Sequence, residues 1–170
     1  MIPALTKKGW WSYLEEDLQE LLSEAYFLAE LAEKWEDPST GSGRRRFHDY
    51  AFVVFPASKA YEGFLKKLFV DMGLITQDDY FGKHFRIGKA LNPTLPPKYR
   101  NDSWVYAKLV AFCKGKNLPD FLWETWKDCR NLVFHWFPDE KRAVTLDQAR
   151  LKLQKIVAAI DMAYSTCKIN

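Results

Sequence analysis

Apolar residues recur at helical intervals along most of the chain. Leu14, Leu18, Leu21, Leu22, Ala25, Leu28 and Ala32 fall on one face and acidic residues fill much of the other, which predicts a helix from about Trp10 to Trp35. Ser12 and Glu15 stand at capping-box spacing near its start. Residues 37–46 break the pattern. Asp37-Pro38-Ser39-Thr40-Gly41-Ser42-Gly43 reads as a flexible loop, and Arg44-Arg45-Arg46 follow directly. The next helix is predicted over Phe47 to Met72. Pro56 lacks the amide hydrogen that its turn needs and is expected to bend or split it. Gly73 stands where a helix C-terminus takes a left-handed residue. Residues 74–102 read as irregular because Pro93, Pro96 and Pro97 exclude a long helix, with one short helix expected at 82–91. A third helix is predicted at about 103–114, stopping near Gly115. A fourth has Pro119 in its first turn and runs to Pro138. The last, with Thr145 and Gln148 at capping-box spacing, runs to about Cys167. No stretch alternates with period two and no segment repeats. The pattern predicts one all-α domain, a bundle of four or five helices: residues 1–36 as an N-terminal helix, 37–46 as a loop and 47–167 as the rest.

Composition adds limits. At 170 residues and 48% hydrophobic, the chain fits a single domain with a real core. Aromatics reach 16%, including seven Trp; core is the default place for them, with an interface or a base-stacking surface as alternatives. A net charge of +3 permits an anionic partner without demanding one. No apolar run approaches the roughly 18 residues of a membrane span. Met1 to Lys8 lacks the apolar core of a secretory signal. Cys113, Cys129 and Cys167 form no C-x-x-C pair, which fits a reducing cytoplasm and thiols used as small apolar residues. His48 and His84 have no companions at ligand spacing, so neither a metal nor another cofactor is expected.

The fourth helix carries the candidate chemistry. Leu122, Trp126, Cys129, Val133 and Trp136 make an apolar seam, and Glu124, Asp128, Asn131 and His135 a polar stripe. Trp123, Lys127, Arg130, Phe134 and Phe137 make a third stripe of mixed character. On an ideal helix Arg130 and His135 diverge by about 140°, whereas Asn131 and His135 lie about 40° apart. Three arrangements gather Arg130 and His135: an Arg side chain curled round the helix, a distorted last turn near Pro138, or a second copy of the helix across a two-fold axis.

The run Arg130-Asn131-Leu132-Val133-Phe134-His135 resembles the R-N-x-x-x-H form of the R-x(4–6)-H motif of HEPN ribonucleases. Pro56-Ala57-Ser58-Lys59-Ala60-Tyr61-Glu62-Gly63-Phe64-Leu65-Lys66-Lys67-Leu68-Phe69 resembles the helix before that motif in the RnlA/LsoA toxins of RNase LS type. There an Arg and a Glu three residues apart contribute to the active site. Glu62 matches the Glu; Lys59 stands where the family has Arg, keeping the charge without the planar fork. The resemblance covers about residues 47–167. It implies a HEPN-type bundle and a metal-independent endoribonuclease, a toxin or phage-defence effector held by a protein antitoxin, with Arg130, His135, Asn131, Glu62 and Lys59 at the site. It also implies 2′,3′-cyclic phosphate products, while the divergence of Arg130 and His135 predicts a homodimer in which two fourth helices face each other. A related class of HEPN toxins is silenced by modification of a Tyr two residues after the His; Phe137 stands there and argues against that class.

The residue types suit the reaction. The RNA 2′-hydroxyl must lose a proton, the leaving 5′-oxygen must gain one, and a cation must meet the charge on the phosphoryl oxygens. Histidine is the side chain whose unperturbed pKa lies near neutrality, so His135 suits proton transfer, and Arg130 suits bidentate phosphate binding. Asn131 would orient His135 or donate to a phosphoryl oxygen. Glu62 would orient Arg130 or His135, or act as a second acid–base group. Structural readings stand beside these: His135 as a helix C-terminal histidine favoured by the dipole, Arg130 in a salt bridge with Asp128 or Glu62, Lys59–Glu62 as a surface pair, and Arg44 to Arg46 as a solvated loop. The corresponding alternative function is a catalytically inactive HEPN-like scaffold that binds RNA or protein.

Overall fold

The computed structural model describes residues 2–36, 47–136, 138 and 143–167, and all their regular structure is helical. α1 (Ile2–Leu5) leads through a 3-10 turn at Trp11–Tyr13 into α2 (Glu16–Glu36). α3 covers Ala51–Asp71, followed by the short α4 (Gln77–Phe81) and α5 (Ile87–Ala90). α6 (Val105–Phe112) and α7 (Asn117–Trp126) precede a π turn at Lys127–Asn131, and α8 (Leu146–Cys167) closes the chain. The expected all-α bundle forms, with α1, α4 and α5 as short additions to the longer helices. The predicted loop at 37–46, with Arg44 to Arg46, lies outside the described residues, as does Phe137.

α3 is central. α2, α8 and the π turn pack on it, and α8 also meets α2 and α7. Its composition explains this place. Val53, Val54, Ala57, Tyr61, Phe64, Leu65, Leu68 and Phe69 are all fully buried, so apolar side chains point to several sides and several neighbours must cover them. No helix among the described residues is long and apolar enough to cross a membrane.

Residues 1–36 are not one helix, because Trp10 is committed to the core. It is 1% exposed, and its indole N–H donates to the Asp161 carboxylate on α8 at 2.9 Å. The chain then turns, Leu14 is extended, and α2 begins at Glu16. Ser12 therefore sits in the 3-10 turn rather than at a helix start, and Glu15 accepts the Tyr80 hydroxyl at 2.6 Å. α3 begins four residues later than its pattern predicts. The Asp49 carboxylate accepts from the amides of Ala51 at 2.8 Å and Val144 at 3.1 Å, tying the start of α3 to the segment entering α8.

Pro56 does not split α3, which runs unbroken through it. The amide it lacks would have met the Phe52 carbonyl in the first turn, so only one bond near the helix end is forgone. Gly73 ends α3 as expected. Its φ is +67°, Leu74 N–H reaches the Phe69 carbonyl at 2.8 Å and Gly73 N–H the Val70 carbonyl at 3.0 Å, the paired bonds of a left-handed helix stop. Instead of one helix at 82–91 there are two, separated at an extended Gly82. α4 is held by a Thr76–Asp79 capping box that the sequence reading missed. The Thr145–Gln148 box forms as predicted, with bonds of 3.0 and 3.2 Å.

Candidate functional site

The fourth helix does not reach Pro138. After Trp126 the backbone widens into a π turn, closed by the Leu132 N–H on the Lys127 carbonyl at 2.9 Å, and helix ends at Asn131. Neighbouring side chains explain where it ends. In a continuing α-helix the carbonyls of Asp128 and Cys129 would accept the amides of Leu132 and Val133. Here the Lys152 ammonium of α8 donates to the Asp128 carbonyl at 2.7 Å. The Ser58 hydroxyl of α3 lies 2.6 Å from the Cys129 carbonyl and 2.9 Å from that of Val54. Carbonyls satisfied in this way no longer require helix beyond them. Ser58→Ala is accordingly expected to cost about 1–3 kcal/mol, the range for a buried acceptor left unpaired, as read by urea unfolding.

The early stop changes the predicted stripes. Leu122, Trp126, Cys129 and Val133 are buried as a seam, but Trp136 is 80% exposed because no helix carries it inward. His135 lies four residues beyond the last helical residue, so it shares no helical stripe with Glu124, Asp128 and Asn131. The 140° divergence from Arg130, an ideal-helix figure of about that size, does not apply across this break. Asp128 is taken by α8, its carboxylate pairing with Lys155 at 2.5 Å.

Arg130 projects from the π turn toward α3. Its Nε lies 3.9 Å from Glu62 Oε2, and its guanidinium stands 5.3 Å from the centroid of the Trp126 ring. The salt-bridge partner is thus Glu62, not Asp128. Both side chains are about a third exposed, so the pair contributes roughly 0–1 kcal/mol to stability. Trp126 is seated by α5: a Cβ on Gly88 would come within 2.9 Å of its indole nitrogen, a distance that only glycine avoids. Lys59, one turn before Glu62, lies 5.8 Å from the Phe55 ring centroid, and Phe55 meets Phe134 edge to face at 5.5 Å. Phe55, Ser58, Lys59, Glu62, Arg130 and Phe134 line one cleft of about 100 Å³.

Three of the five predicted site residues, Lys59, Glu62 and Arg130, are therefore gathered. Asn131 and His135 are not among the lining residues; Asn131 is half-buried at the end of the π turn, and His135 is exposed, directly after Phe134. Phe55 and Ser58 were missed, although Phe55 stands four before Lys59, and Ser58 four before Glu62 and three after Phe55, spacings that put them on this side of α3. Cys129 is a packing residue. Its thiol is pushed up to about 11, chiefly by burial and against the pull of Lys152 and Lys155, so almost no thiolate exists at neutral pH. A larger cleft, about 480 Å³, opens beside the π turn, lined in part by Asp128, Leu132, Val144, Leu151, Lys152 and Lys155. Its two lysines are engaged by Asp128. Among the described residues no three His, Cys, Asp or Glu side chains come together as a metal-binding group. No protein-family model, curated protein or solved structure matches the chain.

Proposed function

We propose that the chain is a metal-independent endoribonuclease of HEPN type, a toxin or phage-defence effector restrained by a protein antitoxin. The observation that carries this reading is the cleft shared by Lys59, Glu62 and Arg130, residues picked out on different helices by one sequence resemblance. The π turn that presents Arg130 adds support, since such turns are frequent at functional sites. In the reaction the 2′-oxygen attacks phosphorus, the bond from phosphorus to the 5′-oxygen breaks, and a 2′,3′-cyclic phosphate remains. Arg130, steadied by Glu62, offers its free N–H groups to the phosphoryl oxygens, and Lys59 adds positive charge. His135 moves the proton, with Asn131 beside it in the chain as its orienting partner or as a phosphate donor. The homodimer expected from the divergence of Arg130 and His135 loses that ground, because the two residues do not share one helix.

The alternative, a catalytically inactive scaffold, is favoured by one observation: His135 does not line the cleft. The deciding measurement is cleavage of single-stranded RNA by the purified chain in excess EDTA. Persistent cleavage is expected. Cleavage that disappears with EDTA and returns with Mg²⁺ or Mn²⁺ would end the metal-free mechanism, and RNA binding without cleavage under any condition would leave the scaffold.

A further inference from the structure

Four of the large aromatic side chains at the surface lie next to one another. Trp35, Phe47, Phe52 and Phe55 are 50%, 46%, 38% and 51% exposed. They form a succession. Trp35 and Phe47 lie 6.3 Å apart between ring centroids, and Phe47 and Phe52 lie 5.1 Å apart. Phe52 and Phe55 are three residues apart on α3 and so are neighbours on one helix face, with about 5–6 Å between their Cβ atoms. Phe55 meets Phe134 at 5.5 Å, and there the row enters the cleft of Lys59 and Arg130. Phe47 and Phe52 rest on the buried Tyr50, at 5.7 and 5.9 Å between ring centroids, and still leave much of their own surface to solvent.

We propose that this row is a stacking track for single-stranded RNA, holding the nucleotides that flank the phosphate bound at Lys59 and Arg130. The proposal rests on the ribonuclease reading for its end point. Bases of an unpaired strand have open π faces, and rows of single aromatic rings bind them with little regard to sequence. The edge-to-face Phe55–Phe134 pair leaves both faces of the edge-donating ring uncovered by its mate. Charge supports a polyanion at the cleft end, where Lys59 stands against Phe55 and Arg130 against Trp126, so cations and rings alternate as phosphates and bases do. The other end has a limit too. Beyond Trp35 the outer face of α2 continues with the exposed Leu31 and Phe27, but Glu20 and Glu24 share that face and would repel phosphate. The track therefore ends at Trp35.

The test measures binding of a fluorescent eight-nucleotide RNA, 2′-O-methylated throughout so that it has no attacking hydroxyl, at one fixed salt concentration. The parent is expected to bind the single strand more tightly than the same sequence as a duplex. Phe47→Ala and Phe52→Ala, both at exposed positions, should each weaken single-strand binding by on the order of 10-fold, the scale of one lost base–ring stack. A thermal melt verifies that each variant folds. Parental affinity in both variants, or equal affinity for duplex and single strand, would overturn the track. So would a change in molecular mass by light scattering in Phe52→Ala, which would show a second copy on this surface instead. Cleavage of a dinucleotide by the parent tests the ribonuclease reading apart from the track. If the parent fails to cleave it, that reading falls, while the binding comparison still decides whether the rings hold RNA.

Discussion

His135→Ala is expected to lower the rate of RNA cleavage by about 10²–10⁴-fold, the range for a lost proton-transfer group, with no change in far-UV circular dichroism or Tm. The two halves of this expectation have separate grounds. The loss of rate follows from the role proposed for the imidazole, the side chain whose ordinary pKa is closest to neutrality. The retained fold follows from position: His135 is exposed and lies beyond the π turn, so its removal opens no cavity and breaks no helix. The same position weakens the reading of His135 as a helix-end histidine. Dipole stabilisation fades within the last turn of a helix, and His135 is four residues past it. A variant that unfolds would restore a structural role. A folded variant that cleaves like the parent would remove His135 from the chemistry.

Glu62→Gln should slow cleavage by on the order of 10²-fold, the scale of lost electrostatic or acid–base assistance. Gln keeps the size of the side chain and removes the charge that faces Arg130 Nε at 3.9 Å. Arg130 would then lose the group that fixes its fork, leaving Trp126 beneath it as its remaining guide. Stability should hardly change, because the ion pair is partly exposed and screened. Lys59→Ala should cost less rate. Lys59 adds a flexible charge against the Phe55 ring, and Arg130 in the same cleft supplies another. Lys59→Arg should be neutral or faster, since a planar fork suits phosphate better than a point charge. Steady-state rates of the three variants decide the order. If Glu62→Gln matches the parent, Glu62 is a surface partner of Arg130 and nothing more.

The features that the sequence made legible are those whose physics is local. The Gly73 stop needs bonds only from Leu74 and Gly73 back to Phe69 and Val70, and the Thr145–Gln148 box joins residues three apart. The helical period of α2, α3 and α8 likewise needs no distant partner to be read. The common face of Lys59 and Glu62 belongs here as well, because a separation of three fixes it on any helix.

Tertiary contacts decided what local signals could not. Trp10 leaves the helical pattern because its indole bonds Asp161, 151 residues away. α3 starts at Ala51 because Asp49 also holds the Val144 amide. The fourth helix stops at Asn131 because Ser58 of α3 and Lys152 of α8 take the carbonyls that its next turn would have used. That last decision sets the candidate site: it turns Arg130 toward Glu62 and puts His135 off the helix on which the sequence pattern had placed it. Sequence alone supplied the residue types and their local spacing. Which of those residues meet depended on partners distant in the chain, and backbone groups bond to whichever partner the packing brings within reach.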